Sequence, residues 1–262
     1  MAGIRFAIGA LCILLWAKIS KTPITITDRK EFAFHLFNGV FFMVQISLLY
    51  LGMLYSSASH GSILMNTNIF FIALFAHFFI SGDTLNIRKI SGLILAFLGI
   101  IFIFYDKQNI GSFSIAGDML VFTSAFLLAV RIIYIKKMLE SLNPTKLVFW
   151  EFVVGVSLFF LASLLFEDNS SLNFTLPVTL AVLYQGIIVA GFCFVASTIL
   201  LQRHNASTIS TFSLAIPISG VILSHFFLGD LITKNLILGS LLVVYGIYTV
   251  TVQRMENKEE KT

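Results

Sequence analysis

The sequence predicts an all-α integral membrane fold of about nine membrane-crossing helices, arranged as two inverted five-helix repeats with the first repeat short by one helix. Three observations lead there. Apolar residues make up 58% of the chain and charged residues 11%, where a soluble domain carries about 25% charged. Such a chain in water would expose more apolar surface than its polar residues can cover. The apolar residues fall in continuous runs close to the ~20 residues a spanning helix needs, unlike the ~10-residue alternating stretches of outer-membrane strands. Finally, the second half of the chain repeats the first at a spacing of about 147 residues.

Taken in order, the first run, Ala2–Ala17, holds one charge, Arg5. The second, Phe32–Tyr55, carries Asn38, Gln45 and Gly52 every seven residues, on one face and about two turns apart. Ser62–Ile80 ends on His77-Phe78-Phe79 and a Gly82-Asp83 step, where the glycine would stop one helix and the aspartate cap the next. Ile90–Tyr105 follows the basic pair Arg88-Lys89, and Met119–Ile135 follows Gly117-Asp118. Leu147–Phe166 contains Glu151, and Val178–Leu201 contains Gln185. Ala206–Leu228 has Pro217 in mid-span, and Leu236–Val252 has Gly239 and Gly246.

Basic residues sit at the helix ends and alternate by side. The loop after the first run, then every second loop and the tail, hold fourteen lysines and arginines; the opposite loops hold only Lys107 and Lys234. That bias places the tail and the basic loops in the cytoplasm and supports nine spans, since a miscount by one would scramble it. The expected location is the bacterial inner (plasma) membrane, multi-pass, with the C-terminus cytoplasmic.

The repeat is read residue by residue. Asn38-Gly39 recurs as Gln185-Gly186, Ala58-Ser59 as Ala206-Ser207, His77-Phe78-Phe79 as His225-Phe226-Phe227, and Asp83 as Asp230. Gly92 recurs as Gly239, and Gly99-Ile100 as Gly246-Ile247. The spacing drifts between 146 and 148, as single-residue loop insertions would produce. Phe6 and Gly9 match Phe152 and Gly155, so Met1 pairs with Leu147. A complete span precedes Leu147 and none precedes Met1, so a full first half would begin roughly 30 residues upstream and give ten spans. An odd number of spans per repeat inserts the halves in opposite orientation. A nine-span chain with its amino terminus outside and a signal peptide over residues 1–20 are the other readings; the second fits poorly, because Lys18 and Lys21 follow the apolar run and no small-residue cleavage site is present. The domain reading is a first repeat over 1–106, a second over 114–252, and a charged cytoplasmic tail over 253–262.

These residues resemble the EamA-type members of the drug/metabolite transporter superfamily. The resemblance covers essentially the whole chain. Its pieces are Arg5-Phe6 opening the second family helix, Gly117-Asp118 before the sixth, Pro217 in the ninth, the Gly229-Asp230 step, and Gly239 with Gly246 in the last. The chain departs from the family where the first family helix is absent and where Asp83 and Asp230 replace the usual glutamate. It also departs near Ile69, where the helix proline retained as Pro217 is missing. The resemblance implies a ten-helix plan of two inverted repeats and a transport function.

Polar groups inside spans are costly unless paired or facing a cavity. Asn38, Gln45 and Gln185, with Tyr184 beside it, are the first substrate-pathway candidates; two amides at repeat-related positions would offer donors and acceptors without net charge. Interhelical hydrogen bonding over small residues such as Gly39 and Gly186 is the other reading. Asn66, Asn68 and Ser213 join the candidates, with Ser210 beside them. Glu151 is the one carboxylate well inside a span and the candidate for proton linkage, although it lies about one turn from the cytoplasmic end beside Trp150, where snorkelling to water is easy and a structural role is the favoured reading. Its repeat counterpart is Arg5, read as capping or bridging helices near the outer end. Pro217 frees a backbone carbonyl and is the hinge candidate. His77 and His225 read as a shared packing device, because no ligand sits at metal spacing.

No cofactor, metal or nucleic-acid partner is expected; Cys12 and Cys193 read as inert thiols within spans. No phosphate-binding loop, H-E-x-x-H or G-x-S-x-G motif occurs, and the loops are too short for a catalytic domain, so an enzyme is not expected. The expected partners are a small-molecule solute and the lipid bilayer, with a homodimer left open. Two function classes stand. One is a secondary transporter of a small neutral or zwitterionic metabolite or amino acid, working by alternating access around a midplane cavity. The other is a non-transporting or degenerate membrane protein or subunit that needs another chain or an upstream helix for activity.

Overall fold

The computed structural model describes residues 2–56, 61, 64–105, 115–166, 175–216, 219 and 234–259. Among these the secondary structure is helical throughout, with no strand. The helices are α1 (Ala2–Ile19), α2 (Arg29–Tyr55), α3 (Asn68–Phe79), α4 (Ile87–Tyr105), α5 (Ile115–Met138), α6 (Pro144–Phe166), α7 (Leu176–Arg203), α8 (Ala206–Phe212) and α9 (Lys234–Glu259). α1, α2, α5, α6 and α7 are long and apolar enough to cross a membrane, and Leu64–Phe79 and Ile237–Val250 form shorter apolar helices. Each expected run that falls on described residues is helical. Pro217, His225, Gly229 and Asp230 lie outside them, so the hinge candidate has no described geometry.

Local chemistry sets the helix ends. Asp28 Oδ1 accepts the Glu31 N–H at 2.6 Å, which satisfies one of the donors orphaned at the start of α2, while Glu31 reaches back to the Thr27 N–H at 2.8 Å and holds the segment before the cap. Pro144 opens α6, where it forfeits no hydrogen bond, and Asn143 Oδ1 takes the Thr145 N–H. α1 stops where Lys21 adopts φ 52° and the Thr22 N–H returns to the Ala17 carbonyl, a left-handed turn that usually falls to glycine. Gly82, at φ 82°, turns the chain after α3.

α7 is not a uniform α-helix. Over Gln185–Cys193 it winds with the wider turn of a π-helix, and the Phe194 N–H bonds to the Val189 carbonyl five residues back. Such a stretch accommodates a surplus residue inside a helix. The repeat spacing places that residue: it is 147 between Asn38 and Gln185 but 148 between the helix ends Tyr55 and Arg203.

Packing divides the chain into two compact units, Met1–Ile46 with Tyr134–Arg203, and Ser47–Ile133 with His204–Thr262. The first is centred on phenylalanines. Phe6, Phe42 and Phe152 are fully buried, with Phe6 4.8 Å from Phe42 and 5.0 Å from Phe152, and Phe194 stands 5.2 Å from Phe152. α1 lies close on α6 and on the wide stretch of α7: a methyl at Gly9 would come 2.7 Å from Ala190 Cβ, and one at Gly186 2.7 Å from Ile8 Cβ. Small residues permit this approach.

In the second unit α4 and α9 cross antiparallel. Gly92 meets the Gly246 carbonyl and Gly99 the Gly239 carbonyl, so that a methyl at either would stand 2.9 Å or 2.6 Å from those oxygens. The two contacts exchange under the repeat, as expected of copies inserted in opposite orientation. α3 buries Ile69, Ile72, Ala73 and Ala76, the stripe of a helix with one inner face.

Candidate functional site

The polar groups of the first unit follow one line along α2. Glu31, His35, Asn38 and Gln45 are spaced by four, three and seven residues, and all are buried. The α6 helix faces them with Lys146 and Glu151, also buried. Lys146 is paired with Glu31, whose carboxylate lies 3.4 Å from His35 Nε2. A turn further along, Asn38 Nδ2 donates to Glu151 Oε2 at 2.6 Å. Trp150 Nε1 donates to the Ile24 carbonyl at 2.7 Å, which ties the segment before α2 to α6.

Glu151 corrects one sequence expectation. It does not reach water beside Trp150: it is 1% exposed and accepts from Asn38. Its position about two turns inside α6 leaves it away from the helix end, and the amide on the neighbouring helix takes it up.

The second polar pair joins α1 to α7. Arg5 Nη1 donates to Gln185 Oε1 at 3.1 Å. Arg5 is the repeat counterpart of Glu151, and Gln185 that of Asn38, so the two hydrogen bonds are images of one another. Each joins an amide to a charged group, acidic in one case and basic in the other. The expectation that Arg5 bridges helices holds, with Gln185 as the bridge.

The remaining candidates are placed differently. Tyr184 is exposed on α7 beside Gln185. Asn68 Nδ2 donates to the Met65 carbonyl at 2.6 Å, and Thr67 Oγ1 to that of Leu64 at 2.6 Å, so both serve the turn before α3. Asn66 is half-buried in the same turn. Ser213 opens a short 3₁₀ turn after α8, and Ser210 donates to the Ser207 carbonyl. Gln45 is 1% exposed, on the same face as Asn38.

In the second unit Asp83 also departs from expectation. It does not cap α4, a role taken by Asn86, whose Oδ1 accepts the Lys89 N–H. Asp83 is 1% exposed; it accepts from Lys89 Nζ at 2.6 Å, from the Ser207 N–H at 3.1 Å, and from the Ser207 hydroxyl. It thus caps the first turn of α8, 124 residues away. Asn205 Nδ2 reaches the Gly82 carbonyl at 3.3 Å beside it. His77 Nδ1 accepts the Leu85 N–H at 3.2 Å, a packing contact. Among the described residues no group of three metal-ligating side chains occurs.

Sequence reasoning passed over Glu31, His35 and Lys146. The spacing of Glu31 and His35 with Asn38 on one helical face was the available signal; Lys146 had none, because its partner lies on another helix.

Long apolar helices whose buried faces carry paired polar groups define a multi-pass integral membrane protein. The chain belongs to the EamA-like transporter family, whose model matches residues 1–105 and 115–252, and it is a membrane transporter by that membership. It is 24% identical to the uncharacterized transporter YoaV of Bacillus subtilis over 95% of this chain and 86% of that protein. It is 27% identical to an uncharacterized transporter of Archaeoglobus fulgidus over 97% and 88%. A probable amino-acid metabolite efflux pump of Salmonella typhimurium is 24% identical over 95% of this chain and 83% of its own. A solved crystal structure covers 96% of this chain and 87% of that one, with a TM-score of 0.80 at 18% identity, a likeness of fold.

Proposed function

We propose that the chain is a secondary transporter of a small neutral or zwitterionic metabolite, with amino acids the leading class, and that it works by alternating access at a midplane site. The observation that carries this reading is the pair of repeat-related hydrogen bonds, Asn38 to Glu151 and Arg5 to Gln185. Together they provide one acidic and one basic station, beyond the Glu31–Lys146 pair that satisfies itself, which suits a solute bearing both charges or neither. A densely anionic solute would be repelled by the Glu151 carboxylate at one of the two stations. The Salmonella relative, named a probable amino-acid metabolite efflux pump, supports the same class and an outward direction. The excess of lysine and arginine in alternate loops supports a cytoplasmic C-terminus in a bacterial inner membrane.

The test is counterflow of a metabolite mixture in proteoliposomes holding the purified chain, repeated with Asn38→Ala and Gln185→Ala. The expected result is uptake of a neutral or zwitterionic solute that both variants slow at least tenfold. Exclusive movement of phosphorylated sugars, or variants that match wild type, would overturn the reading. A chain that moves nothing until another polypeptide is added would favour the subunit alternative. Cysteines placed near Arg88 and Lys234 should be labelled from opposite sides of intact cells.

A further inference from the structure

We infer that Asn38 and Glu151 form the recognition site for the protonated amine of the transported solute; this rests on the transport reading and assigns a chemical group to one of its stations. Asn38 commits its Nδ2 to Glu151 Oε2, and that orientation turns Oδ1 away as an acceptor. Oδ1 accepts no hydrogen bond from the described residues, although the side chain is 3% exposed. A buried acceptor left in this way is costly, so its site favours a donor. The donor must also suit the adjacent carboxylate.

An ammonium group meets both requirements. It carries three N–H donors and a positive charge, enough to reach Asn38 Oδ1 and a Glu151 oxygen together. A hydroxyl can donate only once, and a carboxylate would be repelled. The surroundings agree: Phe42 stands one turn beyond Asn38 on the same face, Phe152 follows Glu151 on α6, and their rings lie 5.7 Å apart. Aromatic faces tolerate a cation where aliphatic walls do not. Lys146, the basic group on α6 before Glu151, is already paired with Glu31. Arg5 occupies the repeat-related position beside Gln185, so an amine is disfavoured there and a carboxylate is welcome. The two stations therefore sort the two ends of a zwitterion.

The test uses the full chain with Trp16→Phe, which leaves Trp150, next to Glu151, as the sole tryptophan. The probes are L-leucine, isopentylamine and 4-methylpentanoate, which keep one side chain and carry both charged groups, the amine alone, or the acid alone. Isopentylamine should change Trp150 emission saturably and 4-methylpentanoate should not. Glu151→Gln and Asn38→Leu should each raise the apparent Kd for isopentylamine roughly ten- to hundredfold, the range for a lost charge-assisted hydrogen bond. In wild-type proteoliposomes, isopentylamine should compete with leucine flux more than tenfold better than 4-methylpentanoate does, a comparison that requires no variant. Equal competition by the two probes, or an isopentylamine Kd unchanged in both variants, overturns the assignment. Leucine flux without amine preference removes this site and keeps the transport reading. Glu151-dependent amine binding without flux of any solute does the reverse.

Discussion

Replacing Asp83 by alanine should destabilise the second unit by an amount its surroundings allow to be worked out. The carboxylate is 1% exposed and receives the Lys89 ammonium at 2.6 Å together with the Ser207 N–H and hydroxyl. Its removal leaves a lysine that is 7% exposed without its counter-ion, and breaking a buried pair from one side costs about 3–5 kcal/mol. The first turn of α8 also loses its cap, worth about 1 kcal/mol. At roughly 2–4 °C per kcal/mol for a chain of this size, the melting midpoint in detergent should fall by about 8–24 °C. Lys89→Met removes the stranded charge, so the double variant should melt closer to wild type than Asp83→Ala alone, with a coupling of about 1–3 kcal/mol. Circular dichroism melts of the four proteins complete the cycle. A single variant within a degree or two of wild type, or single effects that simply add, would refute the account of Asp83 as a buried clasp between the α3–α4 turn and α8.

Gly99→Leu at the α4–α9 crossing should cost about 1–3 kcal/mol by overpacking, because even a methyl there would stand 2.6 Å from the Gly239 carbonyl; a melt and gel filtration check it. Lys21→Gly should stabilise the chain by about 1 kcal/mol, because it relieves a left-handed lysine that closes α1, and the midpoint should rise by a few degrees. Lys136 Nζ donates to the Leu201 and Gln202 carbonyls at 2.6 and 3.1 Å; Lys136→Met should cost about 1–2 kcal/mol and speed amide exchange in the last turns of α7.

The elements that could be read from the sequence were those announced by composition and repetition. Runs of apolar residues locate α1, α2 and α5–α7 because a bilayer-crossing helix must be apolar along its length. Asn38 and Gln185 stand out against such runs, and their equivalence follows from the repeat. Their actual partners did not, since Asn38 meets Glu151 across 113 residues and no local pattern records such a contact. Asp83 shows the same limit. Its place after Gly82 matches a cap for the following helix, yet Asn86 is nearer to α4 and leaves Asp83 free to serve α8. The wide stretch of α7 was visible only as a one-residue drift in the spacing, because a π turn has no compositional mark and differs from an α turn only in hydrogen-bond partner.

The opposed signs of Glu151 and Arg5 break the equivalence that duplication would otherwise impose. Two identical copies pointing opposite ways would greet a traveller alike from either shore of the bilayer. Here Glu151 stands at one of the repeat-related positions and Arg5 at the other, so under the transport proposal a dipolar passenger would cross with a preferred end leading. Such an asymmetry would fix how the solute lies in the resting protein and would leave the direction of net flux to the gradients.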